Sequence, residues 1–158
     1  MDKTIIKDDE NFVFYRRHQF STRLPKDRVY MASHFWLKPV EDDCLQIGFT
    51  QFATRMLGDL VEHGFEVSSG DAISEGKIIG WVEGMKAAAD LFCMVDGEFL
   101  TGNPLISEDI DLIRTKPYAQ GWLYEAKAKI PDSSFDVQGY VNCLETTIDQ
   151  IQGQYPDD

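Results

Sequence analysis

The segment WVEGMKAAAD, Trp81 to Asp90, places one lysine, Lys86, between two runs that have the composition of β-strands. Gly84 and Met85 precede the lysine and Ala87 follows it, so a long primary amine lies in a turn of mainly small residues. A modifying enzyme needs an accessible tip of this kind, and so does a mobile prosthetic arm afterwards. A lysine in a turn can equally be a plain solvated charge. The segment therefore indicates either a covalent attachment point or an ordinary surface lysine.

Two other segments invite comparison with known binding loops and do not fit them. The run Gly70–Lys77 has five residues between its glycines, and Ile78 stands where a phosphate-binding loop needs serine or threonine to bind magnesium. The acidic turn Ser107–Asp111 lacks the glycine and the distal glutamate of a calcium loop. Neither segment is predicted to bind a ligand.

The remaining residues that could do chemistry are dispersed. The histidines and cysteines are His18, His34, His63, Cys44, Cys93 and Cys143. No serine or cysteine lies in a nucleophile-elbow sequence, so the spacing gives no support for a hydrolytic triad. An odd number of cysteines without CxxC spacing fits neither a disulfide framework nor a zinc site. We therefore predict no catalytic residues, no metal site, and cysteines that are buried or idle.

The composition restricts the partners and the compartment. The chain has 158 residues, and 27 acidic side chains against 15 basic ones give a net charge of −12, which repels nucleic acid and anionic membranes. No apolar run approaches the roughly 20 residues of a membrane span. The first residues, MDKTIIKDDENF, do not resemble a secretory signal. We expect one domain in the cytoplasm, binding neither nucleic acid nor membranes, whose partners present basic docking surfaces.

Short strand-like segments separated by turn residues dominate the middle of the chain. The predicted strands are Val29–Met31, His34–Leu37, Cys44–Phe49, Leu60–Val67, Ala72–Ile73, Lys77–Glu83, Leu91–Val95, Glu98–Leu100 and Gly121–Lys127. Thr50 is predicted to cap a short helix that ends at Leu57, just before Gly58. One or two helical turns are predicted over Glu108–Arg114.

A longer helix is predicted over Ser133–Ile151, near the end of the chain. Ser133 and Asp136 have the spacing of a capping box, and apolar residues recur at helical spacing. The predicted apolar stripe is Val137, Tyr140, Val141, Leu144, Ile148 and Ile151. Three parts follow: a charge-dense extension over 1–27 that packs on the domain, a β domain over 28–130, and a C-terminal helix and tail over 131–158.

Read together, these segments resemble the H protein of the glycine cleavage system, a family of lipoyl carriers. The likeness runs from about Val29 to Lys129. The matching stretches are His34-Phe35-Trp36, Ile47–Ala53 (IGFTQFA), Leu57–Val61 (LGDLV), Val67–Asp71 (VSSGD), Glu83–Ala87 (EGMKA), Asp96-Gly97-Glu98 and Pro117–Leu123 (PYAQGWL). Each motif is weak alone, but their common order makes the resemblance specific.

The resemblance implies a fold and an attachment point. The fold would be mainly β, a flattened β-sandwich of the lipoyl/biotinyl-domain type (barrel-sandwich hybrid) with short helices and a C-terminal helix. Lipoate would be attached covalently to Lys86. The ligase-recognition surface and the environment of the arm would be Glu83, Gly84, Met85, Ala87 and Asp90. A methionine before the modified lysine, like Met85, is also typical of biotin carriers, but in those a methionine follows the lysine as well. Here Ala87 follows it, which favours lipoate.

Several positions depart from the family pattern. The family typically has a glutamate between the histidine and tryptophan, which helps to hold the amine of an aminomethyl cargo; this chain has Phe35. His34 and Phe35 are therefore cargo-pocket candidates, and Asp90 would retain the second carboxylate. A charge-assisted hydrogen bond contributes roughly 1.5–3 kcal/mol, so losing one of two carboxylates weakens recognition of a cationic amine. Gly84 stands where serine is common, and the N-terminal extension is longer than usual.

These departures resemble those found in the lipoate-binding proteins of the sulfur-oxidising heterodisulfide-reductase-like system. Our first interpretation is therefore a non-catalytic swinging-arm carrier of that system, with the glycine cleavage H protein and an unmodified H-like scaffold protein as alternatives. The implied partners are a lipoate-attaching enzyme, dihydrolipoamide dehydrogenase, and either a heterodisulfide-reductase-like complex or glycine decarboxylase with aminomethyltransferase.

Overall fold

The computed structural model describes residues 3–154, and within them β-strands predominate. The strands are β1 (Ile5–Asp8), β2 (Phe12–Arg17), β3 (Phe20–Pro25), β4 (Val29–Tyr30), β5 (Phe35–Glu41), β6 (Cys44–Phe49), β7 (Leu60–Phe65), β8 (Ala72–Ile73), β9 (Ile78–Gly84), β10 (Ala88–Phe92), β11 (Gly97–Gly102) and β12 (Tyr124–Ala128). The helices are α1 (Gln51–Leu57), α2 (Pro104–Glu108), α3 (Leu112–Thr115) and α4 (Val137–Gln154). None of these helices is long and apolar enough to cross a membrane.

Two antiparallel sheets share the main hydrophobic core. One has six strands in the order β4-β5-β6-β12-β11-β8, and the other has three in the order β10-β9-β7. Apolar side chains of both sheets, such as Leu37, Ile47, Val82 and Leu91, belong to one buried cluster. Alternate residues of a strand point to opposite faces, which is why Leu45 and Ile47 of β6 both enter this core. The predicted mainly β fold with a C-terminal helix is confirmed.

The hairpin β9-β10 differs from its predicted bounds in one instructive way. The second strand begins at Ala88, three residues before the predicted start, because Ala88, Ala89 and Asp90 pair with Glu83, Val82 and Trp81. The start of this strand was not predicted from the sequence, because its small and charged side chains show no alternation of apolar and polar residues. The turn around Lys86 is consequently shorter, at 85–87, than the 84–90 that the predicted strand bounds left.

Other predicted bounds change for similarly local reasons. Strand β12 begins at Tyr124 instead of Gly121, because the Nδ2 of Asn103 donates to the carbonyls of Gln120 and Trp122 and holds that backbone outside the sheet. Of the helical turns predicted over 108–114, the structure has α3; α2 lies before this range and shares only Glu108 with it. The hydroxyl of Thr50 does not cap α1; it is hydrogen bonded to the hydroxyl of Tyr140 at 2.7 Å.

Helix α4 begins at Val137, four residues after the predicted start. The preceding segment is extended instead, because Phe135 exchanges two backbone hydrogen bonds with Tyr30. Asp136 rather than Ser133 accepts from an amide of the first turn, that of Gly139, at 2.9 Å. The predicted apolar stripe is largely correct, since Tyr140, Val141, Leu144 and Ile148 are all buried.

Residues 5–25 form a third sheet that the sequence analysis did not predict. Strands β1, β2 and β3 form an antiparallel meander. Val13, Tyr15 and Arg17 of β2 are buried on one face, but the charged residues between and around them masked the alternation. Tyr15, Phe20 and Leu24 share a second hydrophobic cluster with Trp36 and the apolar face of α4. Residues 5–25 are thus an ordered layer of the structure.

Polar contacts centred on Glu145 of α4 join this N-terminal sheet to the rest of the chain. Its carboxylate accepts from the Tyr15 hydroxyl at 2.6 Å, the Thr4 hydroxyl at 2.9 Å and Arg17 Nη1 at 3.2 Å. The Arg17 side chain is only 10% exposed and also pairs with Asp149. Burial tends to raise the pKa of Glu145, but the hydrogen bonds from Tyr15 and Thr4 and the charge of Arg17 outweigh it and hold this pKa below its usual value.

We predict that Glu145→Gln lowers the free energy of unfolding at pH 7 by about 1–3 kcal/mol, because it leaves the buried Arg17 with a weaker partner. The native pKa of Glu145 is lowered, so its contribution is present above the carboxyl pKa of the unfolded chain and is lost as the pH falls through the native pKa. Urea unfolding at pH 7 and at pH 3 measures both effects. Glu66→Gln, at an exposed site, is the control; equal stability of the two variants at pH 7 would contradict the prediction.

Candidate functional site

The tip of the β9-β10 hairpin is held against the end of α1 by backbone hydrogen bonds. The Lys86 amide donates to the carbonyl of Leu57 at 2.9 Å, and the Met85 amide donates to the carbonyl of Asp59 at 2.8 Å. Within the turn, the amide of Gly84 donates to the carbonyl of Ala87 at 2.8 Å. The backbone on both sides of the lysine is therefore fixed, while its side chain is exposed.

Two glycines make this close approach possible. A Cβ on Gly84 would lie 2.2 Å from the carbonyl oxygen of Leu57, which is far inside van der Waals contact. A Cβ on Gly58 would lie 2.8 Å from Cγ of Lys86, and Gly58 also has a φ of +77°, which side chains rarely tolerate. Gly84, found where the resembled family often has serine, is thus explained by the contact that its backbone makes with Leu57.

A cavity of about 500 Å³ lies beside the lysine. Its walls come from three parts of the chain: Phe20 and Ser21 of β3, Arg55 and Gly58 at the end of α1, and Arg114 of α3. The Arg114 Nε is 3.2 Å from a carboxylate oxygen of Asp59, whose backbone carbonyl holds the hairpin tip. The site therefore combines an exposed primary amine with a cavity that bears two guanidinium groups.

The other hairpin residues singled out from the sequence surround the lysine on exposed strand ends. Met85 is 75% exposed at the tip. Glu83 faces solvent and pairs with Ala88, next to the turn. Asp90 is exposed farther along β10, opposite Trp81, and does not line the cavity beside Lys86. The hairpin therefore brings together Glu83, Gly84, Met85, Lys86 and Ala87, with Asp90 on a neighbouring part of its surface.

His34 and Phe35 lie elsewhere. The Phe35 ring is 6% exposed and stacks on Phe49 with ring centroids 5.1 Å apart. The His34 Nδ1 is 2.8 Å from the Tyr140 hydroxyl, and its ring lies 4.7 Å from that of Phe52. Neither residue lines the cavity beside Lys86. Both positions are explained by packing with their aromatic neighbours.

Sequence reasoning missed the residues that form the cavity walls. Arg55 and Arg114 gave no pattern signal, because an arginine on a short helix looks like any solvated charge. Gly58 was noticed only as a helix stop, although it also makes room for the lysine stem. Ser21 lies in a sheet that was not predicted.

A comparison with protein families decides the relationship: the model of the family described as glycine cleavage H-protein matches residues 28–145. The chain belongs to this family. The H protein of Methylacidiphilum infernorum is 35% identical, over 77% of this chain and 96% of that protein. The glycine cleavage system H protein of Thermus thermophilus is 32% identical, over 78% and 97%.

Structural comparison gives the same result for this member of the H-protein family. A crystal structure of a glycine cleavage system H protein from Mycobacterium marinum has a TM-score of 0.70 and 30% identity to it, and the match covers 77% of this chain and 99% of that one. The lipoyl-domain β-sandwich fold is therefore confirmed. The comparisons support the glycine cleavage alternative and give no support to our first interpretation, the sulfur-oxidation branch. The N-terminal sheet, 5–25, lies before the segment that matches the family.

We predict that Gly84→Ala lowers the free energy of unfolding by roughly 1–3 kcal/mol, the usual cost of forcing an extra methyl group into a filled space. The hairpin tip must move away from Leu57 and would present Lys86 differently to the modifying enzyme. Enzymatic attachment of lipoate to Lys86 should therefore also become slower. Thermal unfolding and a time course of modification measure the two effects. Ala89→Ser, at an exposed site on β10 outside the turn, serves as the control. An unchanged melting temperature for Gly84→Ala would contradict the packing argument.

Burial lowers the pKa of His34 to about 4. In the unfolded chain the imidazole takes up a proton near pH 6.5, whereas in the folded chain it stays neutral down to about pH 4. We therefore predict that His34 contributes to the free energy of unfolding above pH 6.5, and that this contribution is lost as the pH falls from about 6.5 to 4. NMR titration of the imidazole measures the native pKa. The His34→Asn variant, which tolerates the positive φ of 74° at this site, should show a flatter pH dependence of stability. A native pKa near 6.5 would show that the ring is not buried as described.

Proposed function

We propose that the protein is a lipoyl carrier of the glycine cleavage system, with lipoate attached to Lys86. The observation that carries the proposal is the exposed amine of Lys86 on a hairpin tip whose backbone is fixed by Leu57 and Asp59. A carrier needs an attachment point that partners can reach and that does not collapse onto its own surface. Membership of the H-protein family supports the same role.

The residues around Lys86 fit the attached group. Gly58 leaves room for the lysine stem, and the exposed side chain of Lys86 is open to a modifying enzyme. When bound, lipoate supplies a disulfide that opens to two thiols, one of which can carry a one-carbon amine. The chain itself supplies a rigid base for the arm, which keeps the effective concentration of the thiol high at each partner's active site.

The proposed partners follow from this role. They are a lipoate-attaching enzyme, which would read Glu83 and the tip residues Gly84, Met85 and Ala87, and then glycine decarboxylase, aminomethyltransferase and dihydrolipoamide dehydrogenase. The net charge of −12 would steer the carrier to basic docking surfaces on them.

The burial of Phe35 bears on the choice of cargo. Its ring packs on Phe49 instead of facing the cavity beside Lys86, so the lack of a glutamate at this position is accounted for by packing. This weakens the reason for proposing a sulfur cargo. An aminomethyl cargo would rely on the exposed carboxylate of Asp90 to hold its amine.

We predict that Lys86→Arg abolishes lipoylation, because an arginine cannot form the amide. The measurement is the intact mass after co-expression with a lipoate ligase and lipoate. Lys77→Arg, before the other end of β9, is the matched control and should be lipoylated like the unaltered protein. A lipoyl mass increment on Lys86→Arg, or its absence from the unaltered protein, would overturn the proposal.

We predict that glycine decarboxylase with glycine loads an aminomethyl group onto the lipoylated protein, and that Asp90→Asn lowers the loading efficiency by up to about 5-fold. The effect is small because Asp90 is exposed, and an exposed charge pair contributes at most about 1 kcal/mol. Loading is read as a mass increase on the carrier. Glu98→Gln, an exposed site on β11, should load normally. Absence of loading on the unaltered lipoylated protein would contradict the glycine cleavage assignment and return the sulfur carrier to first place.

A further inference from the structure

An open groove of about 1070 Å³ lies between the N-terminal sheet and the segment 114–119 of the β domain. The N-terminal wall includes the half-buried rings of Phe12 and Phe14 on β2. This wall precedes the segment that matches the family, 28–145, whereas the opposite wall lies within it. The groove therefore exists only because this chain adds a sheet to the matched β domain.

Hydrogen bonds of Tyr118 join the two walls. Its hydroxyl lies 2.9 Å from the hydroxyl of Thr22 on β3 and accepts from the Gln51 amide at 3.0 Å. All three residues line the groove. The groove is thus formed before any ligand binds, which lowers the entropic cost of binding.

Arg28 is a buried cation that lines the groove. Its side chain is 5% exposed, and its guanidinium lies over Trp36, 4.5 Å from the ring centre. Its Nε donates to Asp27 and its Nη1 to the carbonyl of Tyr118, both at 2.9 Å. The third nitrogen, Nη2, makes no hydrogen bond within residues 3–154, so it is left to donate to a carboxylate that enters the groove.

The lining of the groove is basic, although the chain as a whole is acidic. Within residues 3–154, the lining includes five of the chain's 15 lysines and arginines but two of its 27 acidic residues. The basic residues are Arg23, Lys26, Arg28, Arg114 and Lys116. Charge complementarity therefore favours an acidic ligand here.

The ion pairs that some of these cations form do not prevent such binding. Each involves an exposed carboxylate: Arg23 pairs with Asp9, Lys26 with Asp8, and Arg114 with Asp59. Exposed pairs contribute little stability, so carboxylates of another molecule can replace them. Lys116 is exposed and forms no ion pair in the part of the chain that the structure describes.

The groove leads to the attachment point. Ser21, Gln51 and Arg114 line both the groove and the cavity beside Lys86, so the two are continuous. A protein segment that binds in the groove is therefore held next to the lysine. The volume also exceeds the roughly 300–1,000 Å³ of most small-molecule sites, which favours a polypeptide segment as the ligand.

We propose that this groove docks an extended segment, with acidic and apolar side chains, of a partner enzyme that acts on the lipoyl arm. The inference rests on the proposed carrier function and assigns the added N-terminal sheet a role in it. Carboxylates of the segment bind Arg28 and Lys116, and its apolar side chains pack on Phe12 and Phe14. The enzyme's active site is thereby held within reach of the arm.

Enzyme kinetics with a charge-reversed groove test the docking site. Lys116→Glu should raise the KM for the carrier about 5- to 10-fold with at least one proposed partner enzyme, because it removes an exposed charge pair and adds a repulsion of similar size. The kcat should not change, since Lys116 does not line the cavity beside Lys86. Lys129→Glu is the matched control: it makes the same charge change at an exposed site outside the groove and should leave KM unchanged.

Photochemical cross-linking identifies the bound segment. Full-length protein with benzoylphenylalanine in place of Phe14 should cross-link to one peptide of the enzyme affected by Lys116→Glu, and this peptide should contain aspartate or glutamate beside apolar residues. The same photoreactive residue in place of Phe92, which is exposed on β10 outside the groove, should not cross-link to that peptide.

Several results would overturn the docking site while leaving the carrier function intact. They are equal KM values for Lys116→Glu and Lys129→Glu with every partner enzyme, no cross-link from position 14, or cross-links from it to a basic peptide or to a second copy of this chain. A protein that gains no lipoyl mass would instead refute the proposed function.

Discussion

The contact between the hairpin tip and the end of α1 is the constraint on which the site depends. Two backbone amides, those of Met85 and Lys86, donate to the carbonyls of Asp59 and Leu57. Because these backbone amides have hydrogen-bond partners within the protein, the tight turn leaves no unpaired amide at this contact and is stable. The contact requires glycine at position 84. The backbone of Lys86 is thereby held in one position, and only its side chain is free to move.

The rest of the structure supports this base from behind. The helix α1 that supplies Leu57 packs through Phe52 into the second core, with Phe20 on one side and the aromatic residues of α4 near it. The hydroxyl of Tyr140 links α4 to both His34 and Thr50. Through Glu145 the same helix fixes the N-terminal sheet. One C-terminal helix therefore stabilises both the platform of the lysine and the N-terminal sheet.

Sequence reasoning succeeded where the signal was local or familial. The apolar stripe of α4, the strand-rich middle and the turn at Lys86 follow from periodicity and residue type, and the ordered set of weak motifs was enough for the family. It failed where distant contacts decide. The strands of 5–25 carry charges that hide their alternation, and the burial of Phe35 depends on Phe49 across a strand pair. The weight given to Phe35 led to the sulfur interpretation, which the comparisons do not support.

The cavity could not be predicted from the sequence either, because its walls come from β3, α1 and α3, which are far apart along the chain. The central claim is that Lys86 carries the lipoyl arm. Peptide mapping by mass spectrometry of the protein purified from its native cells tests that claim most directly. We predict a lipoyl group on Lys86 and on no other lysine. Recovery of this peptide with Lys86 unmodified throughout, from cells that lipoylate other proteins, would contradict it.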